Sequence, residues 1–265
     1  MTAKAQSMAK VFTTEITSDQ LPSDNPLHQR LLKPYVVVES LVEGDVLEVG
    51  CGEGRGVELL MKKSGHYTAI DKIETVVEKL RKKYPNGKFL SGNIPPFDQL
   101  KNDSFDFVIS FQVIEHIRDD RFFLKEIHRV LKPGGKAYLT TPNRLMSLSR
   151  NPWHIREYTA GELLQLANEI FSKAEMKGIT GDEKVMAYQE KNRRSVEKIM
   201  RFDVFDLQYR LPAGILKIPY EILNRWNRNK LKQGDDQLVA NINHENYQVT
   251  EDASNALDLF LIVEK

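Results

Sequence analysis

A short apolar run that breaks into alternating glycines constrains the fold of this chain more than any other feature. Residues 46–56 read Val-Leu-Glu-Val-Gly-Cys-Gly-Glu-Gly-Arg-Gly. Because glycine has no Cβ, a strand that ends in such a turn lets its backbone approach a ligand closely. A second apolar run ends at Asp71, about 20 residues further on, where a carboxylate can accept hydrogen bonds from both ribose hydroxyls. Together these features predict a site for an adenosine-containing ligand.

The glycine spacing discriminates between ligands of this kind. A dinucleotide fingerprint, G-x-G-x-x-G, would need its third glycine where Arg55 or Val57 stands, and no Gly-Lys-Ser/Thr of a Walker loop follows. Glu48 precedes the turn and Glu53 lies inside it, a poor setting for a pyrophosphate. Acidic groups suit a ligand with an ammonium and a sulfonium group, such as S-adenosylmethionine. The alternative interpretation is a nucleotide-fold turn that has lost its ligand.

Four segments, in order, resemble class I S-adenosylmethionine-dependent methyltransferases of the broad type 11 group: Leu47–Gly54, Ala69–Asp71, Ser104–Ile117 and Val130–Thr140. The resemblance implies an α/β fold, a Rossmann-like seven-stranded and mostly parallel sheet with helices on both faces and an antiparallel C-terminal edge strand. The alternation of strand and helix patterns independently predicts a parallel sheet with right-handed crossovers. Ligands of such sheets bind at the carboxyl ends of the strands.

Positions within these segments give the expected cofactor contacts. The glycines would let the backbone approach the methionine and ribose portions, Glu48 would orient the turn or reach the ammonium, and Asp71 would hold the ribose. Asn93 stands where relatives often have an aspartate near the adenine amine, although it is also a typical turn residue. The predicted cofactor-binding set is Glu48, Gly50, Gly52, Gly54, Asp71, Asn93, Ile94, Ser110 and Gln112.

Methyl transfer from a sulfonium requires that the nucleophile be held in line and water be excluded, and an oxygen nucleophile often needs a base. His154, with nearby Tyr158, lies in a dense polar cluster after the fifth strand, and His116 lies in the loop after the fourth. The predicted catalytic residues are therefore His154, His116 and Tyr158. The alternative for His154 is a hydrogen-bonded organiser of its loop, and for His116 a packing role.

A metal site is considered because Gln112-x-x-Glu115-His116 is similar to the Glu-x-x-Glu-His run of ubiquinone-biosynthesis O-methyltransferases, whose side chains are linked to a divalent cation. This chain departs at the first position, where glutamine replaces glutamate. An amide oxygen is a weaker ligand for a hard cation than a carboxylate. We therefore predict no metal.

Composition limits the remaining possibilities. The chain has 265 residues, a net charge of +1 and one cysteine, Cys51. The charge balance does not favour nucleic-acid binding by the protein as a whole, and the single cysteine fits a reducing compartment. The first residues lack the apolar core of a signal peptide, and no apolar run approaches the roughly 20 residues that span a bilayer. A cytoplasmic location is predicted.

Regions outside the four segments carry the information about the acceptor. We predict an N-terminal lid or helical segment over residues 1–40 and a methyltransferase domain over residues 41–265, with a helical basic insertion at about residues 175–235. Residues 184–232 contain twelve Lys or Arg and five Asp or Glu, a net charge of +7, with interleaved aromatic residues. Such an insertion suits an anionic or lipid-linked substrate or peripheral contact with a membrane, or else is a solvated amphipathic segment.

The function predicted from these features is transfer of a methyl group from S-adenosylmethionine to a small-molecule or lipid- or glycan-linked acceptor, at oxygen. One alternative is an RNA or protein methyltransferase that docks its substrate on the basic insertion, although no base-stacking motif favours nucleic acid. The other is a non-catalytic protein that binds S-adenosylmethionine. The sequence gives no indication of the oligomeric state.

Overall fold

The computed structural model describes residues 21–203 and 205–265. Residues 1–20 of the predicted N-terminal lid lie outside this description. The chain divides into two units. A sheet unit comprises Leu31–Met146, Ile155–Thr180 and Gln248–Lys265, and a helical unit comprises the residues before Leu31, Ser147–His154 and Gly181–Tyr247.

Eight strands form one sheet in the order β3-β2-β1-β4-β5-β8-β6-β7. Parallel ladders join β1 to β2 and β4, β2 to β3, and β4 to β5, whereas β8 runs antiparallel to both β5 and β6. The strands are β1 Asp45–Val49, β2 His66–Asp71, β3 Lys88–Ser91, β4 Phe105–Phe111, β5 Leu131–Pro142, β6 Lys173–Gly181, β7 Tyr247–Thr250 and β8 Asp258–Glu264.

The predicted Rossmann-like α/β class is confirmed, with two differences in the sheet. It has eight strands rather than seven, and the antiparallel strand β8 lies between β5 and β6 rather than at the edge. The strand that the sequence did not reveal is β6, whose Lys173, Glu175 and Lys177 interrupt any apolar run. Gly178 of β6 lies so close to Ala256 that an added Cβ would meet its Cβ at 2.2 Å. The predicted insertion therefore overlaps β6, and its helices begin only after Gly181.

Two helices of the sheet unit begin at side-chain caps. Asp119 accepts a hydrogen bond from the Phe122 amide, and Thr159 forms a capping box with Glu162. Pro34 lies inside the first helix, which continues through it. The helices are α1 Asn25–Glu39, α2 Val57–Met61, α3 Glu74–Lys83, α4 Asp120–Val130 and α5 Ala160–Asn168. The core that they cover includes Leu47, Ile70, Val108, Phe123, Ile127, Leu139, Leu163 and Leu261.

The helical unit holds four further helices: α6 Glu183–Met200, α7 Leu207–Arg210, α8 Ala213–Gly234 and α9 Asp236–Ala240. Its interior includes buried Asp24, which accepts hydrogen bonds from Arg225 at 2.8 Å and from Arg228 at 3.2 Å. Asn25, at the start of α1, donates to the carbonyls of Val239 and Ile242. Across residues 21–203 and 205–265, no helix combines the length and the apolar character that crossing a bilayer requires.

Candidate functional site

The glycine turn follows β1 at the carboxyl end of the parallel strands. Gly50, Gly52 and Gly54 have φ values of +78°, +50° and +86°, a region that disfavours side chains. The Gly50 amide donates to the Ile70 carbonyl at 2.8 Å. A Cβ at Gly50 would lie 2.4 Å from Cγ2 of Val113, in the loop after β4. The turn is therefore bare backbone, held tightly against the neighbouring loop.

Asp71 ends β2 beside this turn. Its Oδ2 accepts a hydrogen bond from the Gly52 amide and its Oδ1 accepts one from the Ile73 amide, both at 2.9 Å. The residue is buried. Because each carboxylate oxygen has two acceptor positions, these two bonds leave further acceptor capacity on both oxygens. The arrangement fixes the carboxylate next to the glycine turn, where the sequence predicted a ribose contact.

Glu48 is buried in β1, and both of its oxygens accept hydrogen bonds from tyrosines. Oε1 accepts from the Tyr35 hydroxyl at 2.7 Å, and Oε2 accepts from the Tyr67 hydroxyl. Burial raises the pKa of Glu48 to about 7, against the opposing effect of the two tyrosine hydrogen bonds. The sequence did not reveal these partners, because one lies in α1 and the other on β2.

We expect Glu48→Gln to change how stability depends on pH. The unfolded glutamate ionises near pH 4.5, whereas the folded one keeps its proton to about pH 7. The stabilisation from this proton is fully present below pH 4.5 and is lost as the pH rises through 7, by at most about 3 kcal/mol. Denaturant unfolding between about pH 5 and about pH 8 should show the wild type losing stability relative to Glu48→Gln. Glu58→Gln, at an exposed position in α2, is the control, and parallel pH curves for wild type and Glu48→Gln would contradict the expectation.

The loop after β3 carries Asn93 and Ile94. Asn93 is exposed, whereas Ile94 packs against the core of the sheet unit. The end of the loop is tied to α4, since the Phe97 amide donates to Glu126 Oε2 at 2.7 Å. Asn93 is therefore presented to solvent from an anchored loop.

Ser110 and Gln112 lie at the carboxyl end of β4. The buried Ser110 hydroxyl donates to the Val49 carbonyl at 3.2 Å and so ties β4 to β1. Gln112 has a φ of +59°, unusual for a residue with a side chain. The side-chain Nε2 of Gln112 donates to Thr140 Oγ1 and to Asp258 Oδ1, each at 3.3 Å. Backbone strain of this kind is often found at functional sites.

Glu115 and His116 follow in a 3-10 turn over Ile114–His116. Glu115 is buried and its Oε2 accepts a hydrogen bond from Thr141 Oγ1 at 3.0 Å, while its carbonyl accepts from the Ile155 amide at 2.7 Å. His116 is half-buried. The glutamate thus fixes the turn that carries the histidine.

Tyr158 is fully buried, and its hydroxyl donates to Asp120 Oδ2 at 2.8 Å. Arg156 donates to the same oxygen at 2.9 Å, and its guanidinium lies 4.7 Å from the centre of the Tyr158 ring. Burial and the Asp120 carboxylate raise the pKa of Tyr158. A phenol with these properties is a poor proton acceptor, so the geometry suits a positioning role better than the predicted catalytic one. Asp120 was not singled out from the sequence as its partner.

His154 belongs to the helical unit and lies in a loop fixed by its neighbours. Asn151 Oδ1 accepts from the Trp153 amide at 3.0 Å, which orients its amide nitrogen toward His154 Nε2 at 2.8 Å. In this arrangement the Asn151 side-chain nitrogen is the donor and Nε2 of His154 the acceptor. Arg150 donates to the carbonyl of Gln208 at 2.8 Å, so α7 anchors the same loop.

Cys51 lies inside the glycine turn and is buried. Burial, with the nearby carboxylates of Glu48 and Asp71, raises the pKa of its thiol. A thiol that stays protonated is a weak nucleophile. The residue acts as a small filler of the turn.

Comparison with known proteins identifies the segment that contains the site. Residues 47–139, from β1 into β5, match the family model of the methyltransferase domain. The chain carries a methyltransferase domain. A segment of 127 residues is 42% identical to a probable S-adenosylmethionine-dependent methyltransferase of Mycolicibacterium smegmatis, covering 46% of this chain and 49% of the relative. The domain is therefore of the S-adenosylmethionine-dependent class.

One further relative and one solved structure are similar to this chain. Over 128 residues the chain is 30% identical to a ubiquinone biosynthesis O-methyltransferase of Coxiella burnetii, covering 45% of this chain and 53% of that protein. A solved structure described as a possible histamine N-methyltransferase of Thermotoga maritima shares the fold, with a TM-score of 0.55 and 19% identity over 90% of this chain and 92% of that one. The chain spans about half the length of the curated relatives that it matches.

The residues of the methyltransferase domain fit S-adenosylmethionine. The three glycines with positive φ leave the backbone of the turn without side chains. At Gly50 a side chain is also excluded by Val113, which an added Cβ would meet. Asp71 places a carboxylate with remaining acceptor capacity beside that backbone. A carboxylate acceptor beside exposed backbone matches a ligand that contains a ribose.

Proposed function

We propose that this protein transfers a methyl group from S-adenosylmethionine to a small-molecule or lipid- or glycan-linked acceptor, at oxygen. The observation that carries the proposal is the hydrogen bond between the Gly52 amide and the Asp71 carboxylate, at the carboxyl ends of adjacent parallel strands. It joins the two features from which the ligand was predicted, within the segment that matches the methyltransferase domain.

Four groups of residues would hold the cofactor in this proposal. The backbone of Gly50, Gly52 and Gly54 would approach its methionine portion, and Asp71 would accept hydrogen bonds from the ribose hydroxyls. Asn93 and Ile94 would receive the adenine, and Ser110 and Gln112 would lie nearest the reactive end. S-adenosylmethionine, when bound, supplies a methyl group on a sulfonium that already carries its leaving group.

Two residues of the predicted cofactor-binding set, Glu48 and Ser110, act mainly by positioning. Glu48 uses both carboxylate oxygens on Tyr35 and Tyr67, so its contribution is to fix β1 beneath the turn. Ser110 ties β4 to β1 through the Val49 carbonyl. Fixed loops reduce the entropy lost when cofactor and acceptor are brought into line.

His154 is the proposed base for the acceptor hydroxyl, with His116 as the second candidate. Nε2 of His154 would take the hydroxyl proton as the methyl group reaches the acceptor oxygen. For this step the Asn151 amide must release Nε2, because the two atoms are 2.8 Å apart in the structure. Tyr158 and Arg156, both bonded to Asp120, would shape the loop that follows β5.

The proposal is tested by incubating the protein with methyl-labelled S-adenosylmethionine and separated small-molecule, lipid, RNA and protein fractions of a cell extract. We expect label in the small-molecule or lipid fraction. His154→Ala should slow labelling by roughly 100-fold or more while cofactor affinity is unchanged. His66→Ala, at an exposed position at the start of β2, is the control.

The same experiment separates the alternatives. Label confined to RNA or protein would favour a macromolecular substrate docked on the basic insertion. Cofactor binding without label in any fraction would favour a non-catalytic S-adenosylmethionine-binding protein. Labelling that proceeds at the wild-type rate in both His154→Ala and His116→Ala would contradict the assignment of the base.

A further inference from the structure

Helix α8 has the reverse of the polarity that a helix of a soluble protein usually shows. Its buried residues are Glu221 and Asn227. Its exposed residues include Ile215, Ile218, Ile222 and Trp226, which are spaced so that they lie on one face. We call these four residues the apolar face. A helix normally turns its apolar stripe toward the core, so within residues 21–203 and 205–265 this stripe is not used for packing.

The exposure of the apolar face is large. Ile215 and Ile218 are each 61% exposed, and Trp226 is 52% exposed. Phe202 and Phe205, in the turn before α7, are 88% and 67% exposed as well. Large apolar side chains that cluster at the surface mark sites of interaction.

The positive charge around the apolar face indicates the charge of its partner. Residues 184–232 carry a net charge of +7, and Arg201, Arg210 and Lys230 are exposed among or beside these apolar residues. A second copy of this chain would bring the same positive charge to the interface, so self-association is disfavoured. The charge is complementary to an anionic partner.

The aliphatic residues of the apolar face favour a lipid bilayer over a nucleic acid as the anionic partner. Nucleic acids bind through phosphate contacts and stacking on aromatic rings, and isoleucines offer neither. A lipid bilayer accepts aliphatic side chains below its headgroups, tryptophan at the interface, and lysine or arginine at the phosphates. We propose that α8 docks through the apolar face on the surface of an anionic lipid bilayer, lying along it rather than crossing it.

The docking helix also supports the loop that carries the proposed base. Lys217, between Ile215 and Ile218, places its ammonium 3.5 Å from the centre of the Trp153 ring, and Trp153 precedes His154. A membrane-facing α8 would hold this loop near the bilayer, where lipid-linked acceptors are found. The link to the acceptor rests on the proposed function. The docking does not, and it is tested in the absence of cofactor and acceptor.

The test is co-sedimentation of the full chain with vesicles of phosphatidylcholine alone and of equal parts phosphatidylcholine and phosphatidylglycerol. We expect wild type to sediment with the anionic vesicles and to be released by high salt. The double variant Ile218→Asp/Ile222→Asp should lower the partition onto anionic vesicles at least about tenfold. Both positions are exposed, so thermal unfolding of the variant should match that of the wild type.

A matched control places the same charges on exposed apolar residues of the sheet unit, Leu41→Asp/Phe122→Asp. This control should sediment like the wild type. The proposal is overturned if wild type stays in the supernatant with anionic vesicles, or if the control loses as much binding as the α8 variant. It is also overturned if wild type is a dimer that Ile218→Asp/Ile222→Asp makes monomeric. The same holds if the full chain binds RNA through α8 and does not sediment with vesicles.

Discussion

Asp71→Ala is expected to weaken binding of both S-adenosylmethionine and S-adenosylhomocysteine by roughly 100-fold or more. A carboxylate that accepts two ribose hydroxyls contributes two charge-assisted hydrogen bonds, each of about 1.5–3 kcal/mol. Both ligands contain the ribose, so the affinity for both should fall equally. Loss of a contact to the sulfonium would weaken binding of S-adenosylmethionine alone. Isothermal calorimetry of the two ligands measures it directly.

Loss of the loop is a competing explanation for such a result, because Asp71 also holds the Gly52 and Ile73 amides. Asp71→Asn keeps one oxygen acceptor and should leave thermal unfolding closer to that of the wild type, while still losing at least about tenfold in affinity. Asp98→Ala, an exposed aspartate of the sheet unit, should bind as the wild type does. Unchanged affinity in Asp71→Ala would contradict the assignment of the ribose contact.

The parts of the fold that sequence predicts best are those governed by local chemistry. β1, Asp45–Val49, coincides with the apolar run that the glycines stop. Thr159, three residues before Glu162, likewise marks the start of α5 by local chemistry. In each case residues within a few positions of one another determine the outcome.

Arrangements that depend on distant residues were not predictable in the same way. β6 lacks the continuous apolar run of the buried parallel strands, and its pairing with β8 requires partners 79 to 91 positions along the chain. The interior position of β8 follows from that pairing. Likewise, the sequence placed Glu48 beside the turn but gave no indication that Tyr35 and Tyr67 meet its carboxylate.

Helix α8 illustrates why periodicity alone does not establish burial. The spacing of Ile215, Ile218, Ile222 and Trp226 is that of a helix with one apolar face, and such a face usually packs inward. Here the polar Glu221 and Asn227 are the buried residues. A pattern in the sequence identifies the face, and only the surrounding structure decides whether that face meets the core or solvent.

Gly50→Ala is expected to destabilise the protein by about 2–5 kcal/mol and to weaken cofactor binding with it. Two effects combine at this position. An alanine at φ +78° costs about 1–2 kcal/mol from the backbone alone. Its Cβ would also lie 2.4 Å from Val113 Cγ2, and a collision of this kind in a packed region costs a further 1–3 kcal/mol. Denaturant unfolding and calorimetry measure the two consequences.

Gly134→Ala separates these effects, because Gly134 has the same φ of +78° but no atom within 4 Å of an added Cβ. It should cost only the backbone term, about 1–2 kcal/mol, and leave cofactor affinity unchanged. The difference between the two variants is then the cost of pushing the glycine turn away from the loop after β4. Since the turn faces the proposed ligand, that displacement should appear as lost affinity as well as lost stability. Equal costs at Gly50 and Gly134 would show that close approach to Val113 does not constrain the turn.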